Sequence, residues 1–398
     1  MGMQNPIDFL VIGGGIVGIS IGIEILEKYP TANVMIAEKE SFLGAHASGR
    51  NSGVLHAGFY YSPDSLKAKF CREGNINLRE LIKKNNIQIR ETGKVVVTSN
   101  QNDEKELGKL YERGKLNGVK LELLPYNSLK NFEPLARTYE NFLWSPSTAV
   151  SSPSQVIAIL AAKFEGLGGV LHVGATGILV NENVVEIAGT RYRASQIVNA
   201  AGVNAIHIAH KFGAGSKYSL LPVLGVYRAT NNGNLPIKTL VYPVPNPKNP
   251  FLGVHFTLTV EGKTKIGPSA IPVLGRFQYK FTSPIDLLDL QSTFKSLFSL
   301  SKRSPKDLAS IVINELPRIS ERRLIKDSEK LVPNISKNIN WEIKPPGLRA
   351  QLVDIQRGTF EQDFVVEKTG SLLHVLNAVS PGWTSSIPFA KWIVETNY

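Results

Sequence analysis

Three glycines near the start of the chain have the spacing of a phosphate-binding turn. They are Gly13, Gly15 and Gly18, in the order Gly-x-Gly-x-x-Gly. The first permits a tight turn, the second lets backbone amides approach a diphosphate, and the third lets a helix pack closely on a strand. The positive end of the helix dipole then faces the phosphates. This spacing predicts a dinucleotide site, although it does not distinguish FAD from NAD.

An acidic residue at the expected distance completes this motif. Glu38 ends the next apolar run, where a carboxylate can bind the ribose hydroxyls of an adenosine. Residues 7–12 and 33–38 are predicted to be buried strands, and residues 16–29 a helix that ends before Pro30. Together these elements predict a βαβ unit.

The rest of the chain continues to alternate between helical and extended patterns. Helices are predicted at 65–86, 103–117, 153–168, 284–330 and 385–396. Strands are predicted at 93–98, 170–173, 184–187, 196–199 and 372–377, with an antiparallel sheet over 220–282 and a loop over 44–62.

The predicted loop contains the residues that identify a family. Ser48-Gly-Arg-Asn-Ser-Gly-Val-Leu-His-Ala-Gly-Phe-Tyr-Tyr61 resembles the flavin loop of L-2-hydroxyglutarate dehydrogenases and oxidases, which belong to the D-amino-acid-oxidase-like flavoproteins. The resemblance covers nearly the whole chain, and it is carried further by 65–71, 242–247, 250–257, 266–270, 346–351, Asp363-Phe364 and 377–388.

This resemblance implies an FAD-dependent oxidation of a 2-hydroxy acid to a 2-oxo acid, with hydride passing from Cα to flavin N5. His56 would take the hydroxyl proton, because the pKa of histidine lies near operating pH, and His255 is a second candidate. Arg349 would bind the substrate carboxylate with its planar fork of donors. The alternatives are core or flavin-packing histidines and a structural salt bridge. Tyr61, Tyr242 and His255 are further expected substrate contacts.

Residues expected to hold FAD lie in six separate parts of the chain. The segment 380–385 is predicted to precede the last helix, so that its amides stabilise the reduced flavin ring, although it could be only a helix cap. The expected FAD contacts are Gly13, Gly15, Ile16, Val17, Gly18, Glu38, Lys39, Ser48, Asn51, Ser52, Gly53, Val54, Thr176, Ala201, Gly202, Pro381, Gly382, Trp383, Thr384 and Ser385.

The order of the predicted elements indicates an α/β protein of two interwoven domains, as 398 residues also suggest. We expect a Rossmann-like FAD-binding domain with a parallel sheet, from 1–85, 145–215 and 340–398. We expect an α+β substrate domain with a mostly antiparallel sheet, from 86–144 and 216–339.

Several positions depart from the family pattern, including the segment 274–279, and four of them bear most on the substrate. Leu224 and Val226 replace an arginine and an acid, Ser269 replaces an asparagine, and Trp383 takes the place of a small residue. If these positions line the substrate pocket, the distal carboxylate of 2-hydroxyglutarate has lost a partner. An amine or amino-acid oxidase of the same group, with a glycine- or sarcosine-like substrate, is therefore the alternative function. A non-enzymatic flavin module is a third.

Composition restricts the partners. The net charge is +12, from 45 basic and 33 acidic residues, which suits an anionic substrate or surface. The basic stretch 302–326 is either a solvated helix face or a face that contacts a membrane surface or an acidic partner. No motif indicates nucleic acid or a metal site. The electron acceptor would be oxygen or quinone.

A single cysteine, Cys71, fits a reducing compartment. It lies in a predicted helix, where we expect a buried apolar group rather than a nucleophile. We therefore expect a cytoplasmic protein, with peripheral contact to the inner face of the membrane as an alternative.

Overall fold

The computed structural model describes residues 6–230, 235–245, 251–335 and 339–398. The strands in this part of the chain are β1 (Ile7–Ile12), β2 (Val34–Ala37), β3 (Val54–Leu55), β4 (Ile89–Arg90), β5 (Lys94–Val97), β6 (Glu122–Pro125), β7 (Asn141–Ser145), β8 (Ala149–Ser151), β9 (Val170–His172), β10 (Gly177–Leu179), β11 (Val184–Ile187), β12 (Thr190–Asn199), β13 (Tyr218–Thr230), β14 (Leu240–Pro243), β15 (His255–Leu258), β16 (Thr264–Gly267), β17 (Ile271–Pro272), β18 (Trp341–Asp354), β19 (Thr359–Phe360), β20 (Val366–Thr369) and β21 (Leu372–Val375). The α-helices are α1 (Ile16–Lys28), α2 (Leu66–Lys84), α3 (Gln101–Leu116), α4 (Leu129–Phe132), α5 (Pro153–Gly166), α6 (Ala205–Lys211), α7 (Leu287–Arg303), α8 (Pro305–Glu315), α9 (Glu321–Ser328) and α10 (Gly382–Asn397).

The first sheet has a parallel centre in which β1 lies between β12 and β2, and β9 pairs with the far edge of β2. β21 pairs in parallel with the end of β12, while β10, β11 and β20 extend the sheet with antiparallel strands. Because parallel strands end at the same edge, the turns that follow β1, β2 and β12 meet there. The predicted βαβ unit is confirmed.

Helix α1 packs between this sheet and two other helices. Its isoleucines at 16, 19, 21, 23 and 25 are all buried, and they share one hydrophobic core with α5 and α10. β-Branched side chains are poor helix formers, so burial of this apolar surface rather than propensity stabilises the helix. The core holds α1 against the sheet with its N-terminus at the end of β1.

The second sheet is mostly antiparallel, as predicted, and has ten strands. Its longest pairing joins β13 to β18 along almost their whole length. One pair, β5 with β14, is parallel. Strand β18 therefore lies in this sheet, although residues from 340 onward were assigned to the FAD-binding domain. The domain boundaries stay a prediction, and the sequence pattern of β18 did not reveal its pairing with β13.

The predicted helices and strands are present with four main differences, and the structure adds elements that were not predicted, namely β4, β6, β7, β8, β10, α4, α6, β18, β19 and β20. The loop over 44–62 contains the short strand β3, which pairs with β8. The predicted helix over 284–330 is three helices, interrupted before Pro305 and again by a 3-10 turn at Leu316–Ile319. The last helix begins at Gly382 rather than 385, so residues 382–385 of the segment expected to precede it form its first turn. Strand β12 begins six residues before the predicted 196.

No helix in the described residues is both long and apolar enough to cross a membrane.

Candidate active site

A cavity of about 1210 Å³ extends between the two sheets. It exceeds the ~300–1,000 Å³ of ordinary small-molecule sites. The first sheet contributes the turns after β1, β2 and β12, and the second contributes residues of β14, β15 and β18. The start of α10 and the loop around β3 close the space between them.

In the glycine turn after β1, two of the glycine positions leave no room for a side chain. Gly13 has φ +113°, and a Cβ there would lie 2.5 Å from the carbonyl oxygen of Ala200. At Gly18 a Cβ would lie 2.1 Å from the carbonyl oxygen of Gly13, so the missing side chain lets α1 approach β1. These are the steric requirements of a turn whose backbone must approach a diphosphate closely. The residues present therefore fit a dinucleotide.

Glu38 lies beside this turn at the end of β2. Its carboxylate accepts hydrogen bonds from the backbone N–H of Gly14 at 2.8 Å and of Glu40 at 2.9 Å. It also lines the cavity, where a ribose can reach it. The amide of Ile16 donates to Ser48 Oγ at 3.0 Å, so this hydroxyl caps the first turn of α1. Ser48 thus ties the flavin-loop segment to the glycine turn.

Most of the expected FAD contacts line the cavity. Three do not: Gly18, Gly53 and Ser385. Gly53 has φ +69° and packs against the carbonyl of Ser151, while Ser385 is buried inside the first turn of α10. The expected contacts that line the cavity are Gly13, Gly15, Ile16, Val17, Glu38, Lys39, Ser48, Asn51, Ser52, Val54, Thr176, Ala201, Gly202, Pro381, Gly382, Trp383 and Thr384.

The backbone at His56 is held on both sides. Its N–H donates to Thr384 Oγ1 at 3.2 Å, and this hydroxyl in turn donates to the carbonyl of Val54. Its carbonyl accepts from Asn75 Nδ2 at 3.0 Å and from the thiol of Cys71. Helices α2 and α10 therefore fix the strand end that carries the imidazole. Asn75 and the adjoining Gly74 were not predicted, because nothing in a regular helix pattern distinguishes them.

The imidazole of His56 lines the cavity, and its ring nitrogens form no hydrogen bond to the described residues. Burial lowers the pKa of His56 well below its ordinary value, and electrostatic interactions with Lys94 and His255 lower it further. A histidine in this environment is neutral at physiological pH and can accept a proton.

His255 lies on β15 and also lines the cavity. Its Nδ1 is 2.7 Å from the carbonyl oxygen of Gly253, which can only accept, so Nδ1 carries the hydrogen and Nε2 has the free lone pair. The ring stacks on Tyr242 with centroids 3.8 Å apart. Burial lowers the pKa of His255 to about 3, with Lys94 and Arg349 as positive neighbours.

Arg349 projects from β18 into the same cavity. Its Nη1 donates to the carbonyl of Ser269 at 3.3 Å, and its guanidinium lies 5.9 Å from the ring centre of Phe251. Among the described residues no carboxylate forms an ion pair with it, so the structural salt bridge is not formed. Most of its donors remain for a ligand.

Lys94 is a charged residue beside the site that sequence analysis missed. It occupies the first position of β5, is completely buried, and its Nζ has no hydrogen-bond partner in the described part of the chain. The apolar run Val95–Val97 that follows it indicates a strand and gives no sign that the lysine faces inward. Tyr60, which lines the cavity next to the predicted Tyr61, was missed in the same way.

Three of the four departures from the family pattern lie outside the cavity lining. Leu224 packs in an apolar cluster that includes Ile271, with Val226 packed against it. Ser269 is buried, and its Oγ accepts from the N–H of Val226 at 3.0 Å. Only Trp383 lines the cavity, and its Nε1 has no partner among the described residues. The premise that all four positions line the pocket is wrong.

Two smaller expectations can also be compared with the structure. Cys71 is buried, and burial raises the pKa of its thiol to about 12, so it is the inert group expected. In the resemblance segments 242–247 and 250–257, residues 246–250 lie outside the described residues.

Solved structures with the same fold include an FAD-bound oxidase and a glycine oxidase. The reduced L-α-glycerophosphate oxidase of Mycoplasma pneumoniae, with FAD bound, matches 98% of this chain and 94% of its own with a TM-score of 0.77 and 20% identity. A glycine oxidase of Geobacillus kaustophilus matches 98% of this chain and 94% of its own with a TM-score of 0.71 and 17% identity. At these identities the matches establish the fold.

Sequence relatives are closer. The L-2-hydroxyglutarate dehydrogenase of Escherichia coli K12 is 32% identical over 98% of this chain and 92% of its own length. That of Indibacter alkaliphilus is 34% identical over 97% of each chain, and the mitochondrial enzyme of Mus musculus is 33% identical over 96% of this chain and 87% of its own. The family described as DAO, FAD dependent oxidoreductase, matches residues 8–396. The chain belongs to the DAO family of FAD-dependent oxidoreductases, as the resemblance predicted.

Proposed function

We propose that this flavoprotein oxidises L-2-hydroxyglutarate, or a similar L-2-hydroxy acid, to the 2-oxo acid. The observation that carries the proposal is that two neutral imidazoles and a guanidinium without a carboxylate partner line one cavity with the dinucleotide turn. The relatives named L-2-hydroxyglutarate dehydrogenase supply the substrate class. FAD, when bound, supplies the acceptor for the hydride that leaves the substrate.

Side chains of the cavity wall bind the substrate and accept its hydroxyl proton. Arg349 binds the 2-hydroxy acid's carboxylate, because its planar fork matches two carboxylate oxygens. His56 accepts the hydroxyl proton, because burial keeps it neutral and its ring nitrogens have no partner among the described residues. Tyr61, Tyr242 and His255 form the adjoining wall. The first sheet then binds FAD, and the second presents the substrate.

Three of the four departures from the family pattern do not argue against a dicarboxylic substrate. Leu224, Val226 and Ser269 do not line the cavity, so they remove no partner from it. The amine-oxidase alternative has support only from the solved structures. Their sequence identities to this chain are low, so these matches support the fold and not the activity.

Anaerobic reduction of the bound flavin tests the substrate. We expect L-2-hydroxyglutarate to bleach the oxidised flavin bands of the purified protein, and its D enantiomer to leave them unchanged. L-Lactate, glycine and sarcosine serve as the competing substrates. Bleaching by glycine or sarcosine with release of ammonia or amine, and none by L-2-hydroxyglutarate, would replace this proposal with the amine-oxidase function.

We further propose that electrons leave to a quinone at a membrane surface that α7 contacts. This helix leaves Leu287, Phe294 and Phe298 exposed, at 76%, 58% and 62%. The spacing of these residues puts them on one side of the helix. Lys302 lies 4.4 Å from the ring centre of Phe298, which combines apolar and positive groups as anionic lipid surfaces require.

Vesicle binding and flavin reoxidation test this surface. We expect the holoenzyme to sediment with vesicles containing phosphatidylglycerol but not with pure phosphatidylcholine, and F294S/F298S to abolish sedimentation. Ile343→Ser, an exposed apolar residue on β18, is the matched control. A reduced flavin that reoxidises faster with dissolved oxygen than with a soluble quinone analogue would overturn the assignment of the acceptor.

A further inference from the structure

A lysine is enclosed by aromatic rings directly behind the cavity wall. The Nζ of Lys94 lies 4.2 Å from the ring centre of Tyr242, 5.1 Å from that of Tyr60 and 5.4 Å from that of Phe59. Tyr60 and Tyr242 line the cavity, whereas Lys94 does not. Cation–π contacts of this kind hold a buried ammonium in place without a counterion.

The groups facing this lysine contain no acid that neutralises it. They are the thiol of Cys71 from α2, Tyr60 and His56 from the segment after β3, Tyr242 from β14 and His255 from β15. No carboxylate of the described residues hydrogen-bonds to Nζ. A buried amine with no acidic partner is costly to the fold. Tyr242, whose ring contacts this ammonium, also stacks on His255 with ring centres 3.8 Å apart, so the ammonium lies close to an imidazole of the cavity wall.

We propose that Lys94 is a positioning residue whose buried positive charge keeps His56 and His255 in the uncharged form that accepts a proton. Lys94 is the charged group with the largest effect on both imidazoles, after burial itself for His56 and after burial and the Gly253 contact for His255. Like charges in a dry environment oppose each other, so a proton on the lysine disfavours one on either ring.

The order of protonation follows from the environment of each group. Burial lowers the pKa of Lys94 to about 7, which is still above that of His255, about 3. As pH falls through neutrality, Lys94 is protonated first and its charge then opposes protonation of the imidazoles. The charge of Lys94 therefore keeps the proposed base His56 unprotonated on the acid side of neutrality, where an ordinary histidine begins to be protonated.

Histidine titrations in holoenzyme variants test this role. With the histidine ring carbons labelled with ¹³C, and signals assigned from H56N and H255N, we expect K94M to move the titration of His56 upward by about one pH unit. K94R keeps the charge and should titrate like the unmodified protein. Lys265, partly buried and 5.0 Å from the ring centre of Tyr227, is an electrostatic neighbour of His255 but not of His56, so K265M is the matched control for the His56 titration alone.

Activity provides the second readout. The inference rests on the proposed proton acceptor, and we expect the acid limb of kcat/KM for L-2-hydroxyglutarate to move upward in K94M but not in K94R or K265M. Removing an unpaired buried amine should leave the melting temperature unchanged or higher. A K94M protein that is less stable, with the His56 titration unmoved, would reduce Lys94 to a structural role and overturn the proposal. If the titration moves while 2-hydroxyglutarate fails to reduce the flavin, only the proposed function fails.

Discussion

At the scale of single residues, the site depends on a histidine whose backbone is fixed and whose ring is free. Thr384 and Asn75 hold the main chain of His56, while no described residue hydrogen-bonds to its ring nitrogens. We expect His56→Gln to lower kcat by about 10²–10⁴-fold, the usual contribution of a general base. Steady-state kinetics, with flavin content measured by absorbance, checks this.

The matched control is His255→Gln. The Nδ1–H of His255 donates to the carbonyl of Gly253, and the imidazole stacks on Tyr242. We therefore expect a decrease in kcat of less than about tenfold. Loss of flavin from H56Q would show that this histidine is structural. A larger decrease in H255Q than in H56Q would transfer the base role to His255.

Arg349 allows a separate prediction for substrate binding. Because its guanidinium has no acidic partner in the described structure, Arg349→Met should leave the fold intact and raise KM by about 10- to 100-fold, as for a lost charged hydrogen bond. Arg349→Lys keeps the charge but not the planar fork, and should recover part of this loss. An unchanged KM in R349M would exclude Arg349 from carboxylate binding.

At the scale of elements, the first turn of α10 reaches the cavity because α2 lies against its backbone. A Cβ at Gly74 would lie 2.0 Å from the carbonyl oxygen of Thr384. We expect Gly74→Ala to push α10 away from α2, displacing the cavity-lining Pro381, Gly382 and Trp383. The expected result is weaker FAD binding, measured by reconstitution of the apoprotein.

Gly108 supplies the matched control for this substitution. It lies in α3 with nothing within 4 Å of its would-be Cβ, so Gly108→Ala should stabilise the protein by ~0.5–1 kcal/mol through helix propensity alone. Flavin affinity in G108A should be unchanged. Unaltered FAD affinity in G74A would mean that the first turn of α10 does not contact the cofactor.

At the scale of the whole molecule, three histidines besides His56 make the fold sensitive to acid. Burial lowers the pKa of His255 to about 3, and those of His207 and His374 to about 4. The unfolded chain binds protons at these residues below pH 6.5, while the folded chain does not. Stability is therefore fully present above pH 6.5 and is lost as pH falls toward 4. Glu24, whose pKa burial raises to about 7, opposes one of the three.

Thermal unfolding of the holoenzyme between pH 7 and pH 4.5 checks this dependence. We expect the melting temperature to fall with pH. His374→Asn should fall less steeply, because one proton-binding site of the unfolded state is removed and Asn can still accept from Asn199. Identical slopes in the two proteins would contradict the assignment of His374 as a buried neutral histidine.

Local sequence was sufficient to determine the βαβ unit, its glycine turn and Glu38. These features follow from short-range physics: apolar periodicity defines the strands and helix, and steric limits at Gly13 and Gly18 allow no other residue type. The family pattern added the flavin loop, and nearly all of its expected FAD contacts line one cavity.

Only the tertiary structure determined what surrounds the two imidazoles. Thr384 follows His56 by 328 positions, and the strands that carry Lys94 and His255 become neighbours through β14. The pairing of β18 with β13 was not predicted for the same reason, since the pattern of one strand does not specify its partner. These groups are buried because segments far apart in the sequence pack together and exclude water. Burial in turn sets their charge state, so no local sequence pattern predicts it.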